Sequence, residues 1–211
     1  MISAAMIVRD AEATIEAALV GLLSAVDAIT VLLDTRTKDR TAEAIAAFPR
    51  GGPFPRVALE PCIWTDGGFA AARNEAQACC AGDWIVVLDA DEVLAPGNLR
   101  ECILAAPDDV DAVAVRVECQ GEGGWLDRYW DNRRAYRKAR CHWIYPVHNQ
   151  LVGVKKAIRS TAVIRTSYRG TTADRLARSV PLLEKLHAEQ PTLLHALRVD
   201  AGVGTKDALR D

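Results

Sequence analysis

The amino-acid sequence predicts an α/β fold in which a mostly parallel sheet is flanked by helices. Short apolar or β-branched runs alternate with longer alanine-rich amphipathic stretches through the first half of the chain, and this alternation is typical of a parallel sheet with helices on its faces. The length of 211 residues suffices for a self-sufficient core, since a chain of this size buries roughly 70% of the surface that its unfolded form exposes.

The predicted elements of the first half follow one another as β-α-β-α-β-α-β. The strands share short apolar runs and are predicted over 2–8, 28–33, 56–59 and 84–88. The second strand is nearly all apolar, which indicates burial on both faces. The helices share an alanine-rich amphipathic pattern and are predicted from an N-cap at Asp10, over 41–48, and over 68–81 with Gly82 at the end.

The pattern changes after a further predicted strand at 110–117. Glycines at 121–124 predict a loop that continues through 125–131, and the short segments that follow predict a smaller mixed or antiparallel part. From Thr172 onward Ala, Leu, Arg and Glu dominate, which predicts a short helical C-terminal tail. We therefore expect a main domain at 1–170 and a tail at 171–211.

Charge and hydropathy exclude several classes of protein. The 26 basic and 28 acidic side chains give a formal net charge of −2, so there is no overall field to hold nucleic acid or an acidic membrane. No apolar run approaches the ~20 residues that span a bilayer, and the N-terminus has no signal-peptide pattern. The six cysteines form no C-x-x-C pair, which favours free thiols over a zinc site. We expect a cytoplasmic protein without a transmembrane segment.

Polar residues follow two of the predicted strands. The second strand is followed by DTRTKDRT at 34–41, and the fourth by Asp89, Asp91 and Glu92. Parallel sheets bind ligands at the carboxyl ends of their strands, and two carboxylates one residue apart supply the hard oxygen ligands that Mg²⁺ and Mn²⁺ prefer. Such an ion would neutralise a diphosphate and help it to leave. The alternative is that Asp89 and Asp91 only cap the following turn.

Four motifs in a fixed order carry a resemblance to a known family. They are ISAAMIVRDAEATI (2–15), ITVLLDTRTKDRT (29–41), FAAARNEA (69–76) and GDWIVVLDADEVL (82–94). They resemble the family-2 glycosyltransferases, in particular a bacterial branch with the pattern MIV(K/R)(N/D)E, D(T)GSTDRT, FAxARN and GDWIxxLDADE. The resemblance covers roughly residues 2 to 165, and four linked motifs are far more specific than any one of them.

The resemblance implies a GT-A fold, Rossmann-like, and inverting transfer of a sugar from a nucleotide-diphosphate-sugar donor to an acceptor. It implies a nucleotide-binding half at 1–92 and an acceptor and metal half at 93–170. The acceptor is left open among glycans, lipid-linked sugars, proteins and nucleobases, and so is the oligomeric state.

Matching the motifs position by position assigns the donor contacts. Asp34, with Thr35, matches the position that meets the nucleoside base, although Arg36 and Thr37 replace the usual Gly-Ser. Arg73 matches the arginine of the ARN motif, where a guanidinium can hold the loop of the metal-binding acids or the diphosphate. A later arginine motif, RAYR at 134–137, leads us to expect that Arg137 also contacts the substrate.

The same matching assigns the metal ligands. Asp89 and Asp91 match the metal-binding pair, with Asp91 as the expected direct ligand and Asp89 also close to the substrate. His148 matches a histidine that can join the ion, although Asn149 replaces the glutamate of that motif. The implied cofactor is Mn²⁺ or Mg²⁺. Histidine suits manganese better than magnesium, so ligation by His148 would favour Mn²⁺. A hydrogen-bonded structural role for His148 remains the alternative.

Inversion needs a general base within hydrogen-bond reach of the acceptor, usually a carboxylate. We select Asp131, in the predicted loop on the acceptor side. Asp127, Glu118 and Glu122 are near it in sequence and are the other acids of this segment.

Two other functions compete with the transferase. The string DADEV at 89–93 also fits the nucleophile motif of haloacid-dehalogenase-like phosphatases, in which Asp89 would be phosphorylated and Asp91 would act as acid and base. That motif belongs on the first strand of the phosphatase core, whereas here it follows the fourth. The departures at Arg36-Thr37, Asn149 and Arg165 leave open a catalytically inactive module that binds a nucleotide sugar.

Overall fold

The computed structural model describes residues 1–49, 55–62, 68–120, 126–146 and 149–166. Its strands are β1 (Ile2–Val8), β2 (Ala28–Asp34), β3 (Arg56–Cys62), β4 (Trp84–Val87), β5 (Glu92–Leu94), β6 (Ala112–Gln120), β7 (Leu126–Arg137), β8 (His142–Ile144), β9 (Gln150–Val152) and β10 (Ala157–Thr166). Its helices are α1 (Ile15–Leu22), α2 (Thr41–Ala47), α3 (Gly68–Cys79) and α4 (Leu99–Leu104). Among these residues no helix is both long enough and apolar enough to cross a bilayer.

Eight strands form one sheet in the order β3-β2-β1-β4-β7-β6-β10-β5, while β8 and β9 pair separately as antiparallel strands. The first four strands in this order are mutually parallel, whereas β7 runs antiparallel to both of its neighbours, β4 and β6. The carboxyl ends of β1, β2 and β4 therefore meet at one edge. This arrangement confirms the prediction of a mostly parallel α/β sheet with a smaller mixed part.

Apolar side chains cover both faces of the sheet. In β1, Met6 and Val8 belong to one cluster while Ala5 and Ile7 belong to the other, because successive side chains of a strand point to opposite faces. Helices α1, α2 and α4 contribute to the first cluster, and α3 with β8 and β9 to the second. Burial of both faces explains why β1 and β2 read as continuous apolar runs in the sequence.

A buried polar network joins α3 and β8 to the sheet. The hydroxyl of Tyr136 on β7 donates to Gln77 Oε1 at 2.9 Å and accepts from Trp143 Nε1 at 2.9 Å. Gln77 Nε2 in turn donates to the carbonyl oxygens of Lys138 and Cys141. Burial raises the pKa of Tyr136, so the phenol stays protonated and remains a donor. Each polar group of this network thus has a partner, as a buried polar group requires.

Some local predictions were wrong. The segment 125–131 is not a loop where the structure describes it, because β7 begins at Leu126 and pairs with β6 along its length. Asp10 is not an N-cap: helix α1 begins at Ile15, Asp10 has a φ of 48°, and its carboxylate accepts from the Lys38 N–H at 2.7 Å. The glycine loop at 121–124 and the tail at 171–211 lie outside the described residues.

We expect Tyr136→Phe to lower the free energy of unfolding by about 1–3 kcal/mol, because loss of the hydroxyl leaves two buried polar atoms, Gln77 Oε1 and Trp143 Nε1, without that partner. Urea denaturation measures the change. Tyr129→Phe is the matched control, since this tyrosine is 60% exposed and surface changes usually stay within about 0.5 kcal/mol. Equal losses in the two variants would show that the network does not stabilise the core.

Candidate active site

The candidate site lies at the edge of the sheet where β1, β2 and β4 end. Asp89 and Asp91 follow the last residue of β4, Val87. Because β7 is antiparallel to β4, with Ala135 opposite Val86, the β7 residues that precede Ala135 lie at this same edge. The edge therefore combines the turn after β4 with the first half of β7, and it is the edge at which parallel sheets bind ligands.

Four charged side chains form a linked cluster at this edge. Arg73 on α3 donates from Nη2 to Asp89 Oδ1 at 2.7 Å, and Arg134 Nη1 on β7 lies 3.8 Å from Asp89 Oδ2. Arg134 also donates from Nη2 to Glu92 Oε1 at 2.5 Å. Glu92 Oε2 accepts from the backbone N–H of Asp89 at 2.9 Å, which closes the turn between the two acids. Arg134 and Glu92 are only 7% and 6% exposed.

The environment shifts the two acids of this cluster in opposite directions. Burial disfavours ionisation of Asp89, but the charges of Arg73 and Arg134 outweigh it and hold the pKa of Asp89 below its usual range. Burial raises the pKa of Glu92 to about 7 against the attraction of Arg134, and the charge of Asp89 adds to this rise. At neutral pH Asp89 is therefore ionised, while Glu92 is near the midpoint of its titration.

Consecutive residues of α3 connect the cluster to the core. The side-chain amide of Asn74 donates to the carbonyl oxygen of Trp143 at 2.8 Å and accepts from its backbone N–H at 2.9 Å, so it pairs with β8 much as a neighbouring strand would. The guanidinium of Arg73 lies 5.0 Å above the centre of the Trp143 ring. Asn74 thus positions the ring against which Arg73 stacks while it reaches Asp89.

Both arginines carry further N–H groups in buried positions. Arg73 Nε and Nη1 and Arg134 Nε have no hydrogen-bond partner among the residues that the structure describes. Buried donors without an acceptor are rare in folded proteins. For Arg73 the face of the Trp143 ring, 5.0 Å from the guanidinium carbon, offsets part of the missing hydrogen bonding.

Two clefts share part of their lining, namely the Arg73–Asp89 pair and Asn149. The first cleft, of about 410 Å³, is further lined by the loop after β1 and the turn after β4: Arg9, Asp10, Ala11, Thr14, Ala90 and Asp91. The second cleft, of about 680 Å³, is further lined by residues of β7, β8 and β9: Asp131, Asn132, Arg133, Arg134, Trp143, Gln150 and Leu151. The pair is therefore accessible from both clefts.

Asp34 lies at the end of β2 with its side chain fully buried. Arg36 holds both of its oxygens: the backbone N–H and Nε donate to Oδ1, each at 2.9 Å, and Nη2 donates to Oδ2 at 2.6 Å. These hydrogen bonds outweigh burial and hold the pKa of Asp34 below its usual range. The neighbouring Thr35 donates its N–H to the carbonyl oxygen of Cys62 on β3 at 2.8 Å.

Asp131 lines the second cleft, where its Oδ1 accepts from Arg159 Nη2 at 2.9 Å. Arg137 does not reach either cleft among the lining residues described: it pairs with Trp84 at the amino end of β4, stacks 4.8 Å above that ring and donates to the carbonyl oxygen of Val110. The structure therefore does not bring Arg137 to the other candidate residues.

Sequence reasoning missed two residues of the site, Arg134 and Glu92. Arg134 is the first arginine of the RAYR motif and lies beside Asp89, whereas the substrate contact expected from the sequence was Arg137, the last arginine of that motif. The motif made both arginines candidates for the site. Only the pairing of β7 with β4 shows which of the two lies at the carboxyl end of β4. Glu92 directly follows Asp91 in the DADE string, and its pairing with Arg134 spans 42 residues.

Of the two acids predicted to bind a divalent ion, Asp91 has surroundings that suit an ion better than those of Asp89. Asp89 has one oxygen against Arg73 and the other near Arg134, whereas Asp91 is exposed and lines the first cleft. In the part of the chain that the structure describes, no group of three or more His, Cys, Asp or Glu side chains could hold an ion. His148, the third predicted ligand, lies outside the described residues. Asp91 is therefore the acid whose surroundings suit an ion shared with a ligand's phosphates.

Comparison with known proteins identifies a family and a partial relative. The family model described as "Glycosyl transferase family 2" matches residues 3–167. A TPR repeat-containing protein of Synechococcus elongatus is 40% identical over 93 residues, which are 44% of this chain and 21% of that protein. The chain thus matches about a fifth of the length of this relative.

Solved structures with a similar fold include two bacterial proteins. S. aureus TarS 1–349 in complex with UDP-GlcNAc matches with a TM-score of 0.57 and 14% identity, over 81% of this chain and 59% of that one. HddC from Yersinia pseudotuberculosis matches with a TM-score of 0.50 and 12% identity, over 79% of this chain and 93% of that one. At these identities the matches show the fold alone, and they agree with the GT-A-like α/β fold that the resemblance implied.

We expect Glu92→Gln to flatten the pH dependence of stability. Because the pKa of Glu92 is raised from 4.5 to about 7 in the folded protein, the folded state binds the proton more tightly, and this group makes the protein less stable as the pH rises from about 4.5 to 7. The contribution is about 3 kcal/mol, from 1.36 kcal/mol per pKa unit.

Urea denaturation in EDTA between pH 5 and pH 8 tests this. The difference in unfolding free energy between Glu92→Gln and wild type should change with pH in favour of the variant at the higher pH. Parallel pH profiles for the two proteins would mean that Glu92 titrates normally. The quantity compared is the slope of the unfolding free energy against pH. A pH-independent loss of stability, caused by the missing acceptor in the variant, does not change that slope.

Proposed function

Since the chain belongs to glycosyl transferase family 2, whose model matches residues 3–167, we propose that it transfers a sugar from a nucleoside-diphosphate-sugar donor to an acceptor with inversion and with the help of a divalent ion. The observation that carries this proposal is that the Arg73–Asp89 pair, at the carboxyl edge of the sheet, lines two clefts.

The first cleft is the proposed donor site. It lies at the ends of β1 and β4, where parallel sheets bind nucleotides, and it combines the exposed Asp91 with the guanidinium of Arg73. The guanidinium of Arg73 lines this cleft, and the oxygens of a diphosphate are anionic acceptors that a guanidinium group binds strongly. TarS, which shares the fold, was crystallised with a donor of this class, UDP-GlcNAc.

Asp91 is the proposed principal ligand of a divalent ion, Mn²⁺ or Mg²⁺. Such an ion, when bound, offsets the charge of the diphosphate leaving group. Asp89 supports the site differently: its carboxylate holds Arg73 and Arg134 in position at this edge. His148 remains a proposed further ligand.

The second cleft is the proposed acceptor site. An inverting displacement needs the nucleophile and the leaving group on opposite sides of the anomeric carbon, and a second cleft that shares Arg73 and Asp89 with the first would bring an acceptor next to the donor. Asp131 is the carboxylate that we assign as general base: Arg159 holds its Oδ1, and Oδ2 would accept the proton of the acceptor.

The phosphatase alternative has no support from these observations. The would-be nucleophile Asp89 has its oxygens turned toward Arg73 and Arg134, and the DADE turn follows the fourth strand along the chain. A module that binds a nucleotide sugar without transferring the sugar is the second candidate, favoured by the Arg36–Asp34 pair in place of the usual motif. A measurement of sugar turnover distinguishes the active transferase from the inactive binding module.

We expect manganese-dependent stabilisation by at least one nucleoside diphosphate, and its loss in Asp91→Asn. Thermal unfolding with UDP, GDP, CDP and TDP, each with and without Mn²⁺, measures this, since a ligand at a hundredfold excess over its dissociation constant stabilises by about 2.7 kcal/mol. Asp83→Asn is the matched control, an exposed aspartate at the amino end of β4. If no nucleotide stabilises the wild type, the donor site is wrong.

We expect Asp131→Asn to reduce turnover by about 100-fold, the lower range for a general base, with little change in nucleotide affinity. Release of nucleoside diphosphate from a panel of nucleotide sugars, with water as the slow acceptor, measures turnover. Unchanged turnover in the variant would exclude Asp131 as the base. No release by the wild type, despite nucleotide binding, would favour the inactive module.

A further inference from the structure

Arg36 closes off the carboxylate at the end of β2. The side chain of Asp34 is fully buried, and Arg36 donates to both of its oxygens through Nε, Nη2 and the backbone N–H. The turn is fixed independently, because the N–H and hydroxyl of Thr37 donate to the carbonyl oxygen of Asp34 at 2.9 and 2.6 Å. Arg36 is thereby held two residues beyond the carboxylate that it covers.

The pair belongs to the donor side of the site. Strands β1 and β2 are parallel neighbours, with Val8 opposite Leu33, so Asp34 lies next to Arg9 at the carboxyl edge. Arg9 Nη1 is 4.0 Å from Asp34 Oδ2, and Arg9 lines the first cleft. A nucleotide with its diphosphate near Arg73 would therefore extend toward the ends of β1 and β2.

The chemistry of the exposed atoms decides which bases can be distinguished there. Uracil presents an N–H at N3, whereas cytosine presents an acceptor nitrogen at the same position. A carboxylate with an available oxygen would bind the uracil N–H and repel the cytosine nitrogen. The Asp34 oxygens already accept from a guanidinium at two points, and two parallel bonds between opposite charges give energy and geometric specificity that one neutral N–H does not match.

Exchange of these partners is unfavourable. A uracil base offers one neutral N–H, while removal of the guanidinium would leave a buried carboxylate with its charge uncompensated, the change that is most costly for a buried ion pair. The hydrogen bonds from Arg36 also hold the pKa of Asp34 below its usual range, in agreement with a carboxylate that stays ionised and paired.

We propose that Arg36 is a specificity-determining residue: by occupying the Asp34 carboxylate it removes the discrimination between uracil and cytosine, so that the protein binds UDP and CDP donors with similar affinity. The proposal rests on the proposed donor site and deepens it. Affinity then depends on the diphosphate and the ion, which all nucleoside diphosphates share.

Isothermal titration of UDP and CDP in Mn²⁺ tests the proposal. For the wild type the two dissociation constants should agree within about threefold. Arg36→Ser retains the backbone N–H to Asp34 Oδ1 and leaves Oδ2 without a hydrogen bond from Arg36, with Arg9 Nη1 still 4.0 Å away. It should therefore raise the preference for UDP over CDP by about tenfold, the effect of one charge-assisted hydrogen bond. Arg36→Lys, which keeps the positive charge beside Asp34 but loses the two-point geometry, serves as the second variant should Arg36→Ser fail to fold, and its UDP preference should also rise.

Two further variants isolate the mechanism. Asp34→Asn introduced into Arg36→Ser should abolish the gained preference, because the anionic acceptor is then absent. Arg100→Ser is the matched control, since Arg100 also pairs with an aspartate, Asp27, at 2.6 Å, but beside the backbone N–H of Ile2 at the amino end of β1. It should leave the ratio of the two affinities unchanged.

The outcomes separate this inference from the donor site itself. A wild-type protein that binds UDP more than tenfold tighter than CDP would overturn the role of Arg36 while leaving the donor site intact, and so would an unchanged ratio in folded Arg36→Ser or Arg36→Lys. Failure of the wild type to bind either nucleotide would overturn the proposed donor site instead, and with it this inference.

Discussion

The site depends on the compensation of one acid, Asp89, by two guanidinium groups. Arg73 comes from α3 and Arg134 from β7, and Glu92 links the second arginine back to the turn that carries Asp89. Arg134 and Glu92 form the buried pair of this cluster, and loss of one partner from such a pair leaves an uncompensated charge, which costs more than the intact pair contributes. The helix, the strand and the turn are therefore held in one relative position by the same cluster that faces both clefts.

The charged cluster is continuous with the core. Arg73 stacks on Trp143, whose indole N–H donates to Tyr136, whose hydroxyl donates to Gln77 on the same helix that carries Arg73. Every hydrogen bond in this path is buried or part-buried, where each bond polarises the next and an unpaired group is expensive. A disturbance of the core is thus expected to reach the ion pair through few intermediates, since α3 supplies both Gln77 and Arg73.

The sequence predicts features that depend on neighbouring residues better than features that depend on residues far apart in the chain. Strands and helices of the first half, and the place of Asp89 and Asp91 at a strand end, depend on local periodicity and were predicted and confirmed. The choice between Arg134 and Arg137 depends on how β7 pairs with β4 and β6, and β7 carries register shifts that no local pattern reveals. The charged side chains of β7 also concealed a strand, because four consecutive polar residues, 131–134, line a cleft and so lack the alternation that marks a half-buried strand.

Asp34 and Asp89 both pair with arginine at this edge of the sheet, but the two pairs have different structural roles. Both are carboxylates whose pKa arginine keeps low. At Asp34 a single arginine two residues away uses both oxygens, so the acid is consumed within its own turn. At Asp89 the arginines come from distant elements and keep buried N–H groups without a partner among the described residues. The two acids therefore differ in what they hold together: Asp34 fixes a single turn at the end of β2, whereas Asp89 joins α3 and β7 at the end of β4.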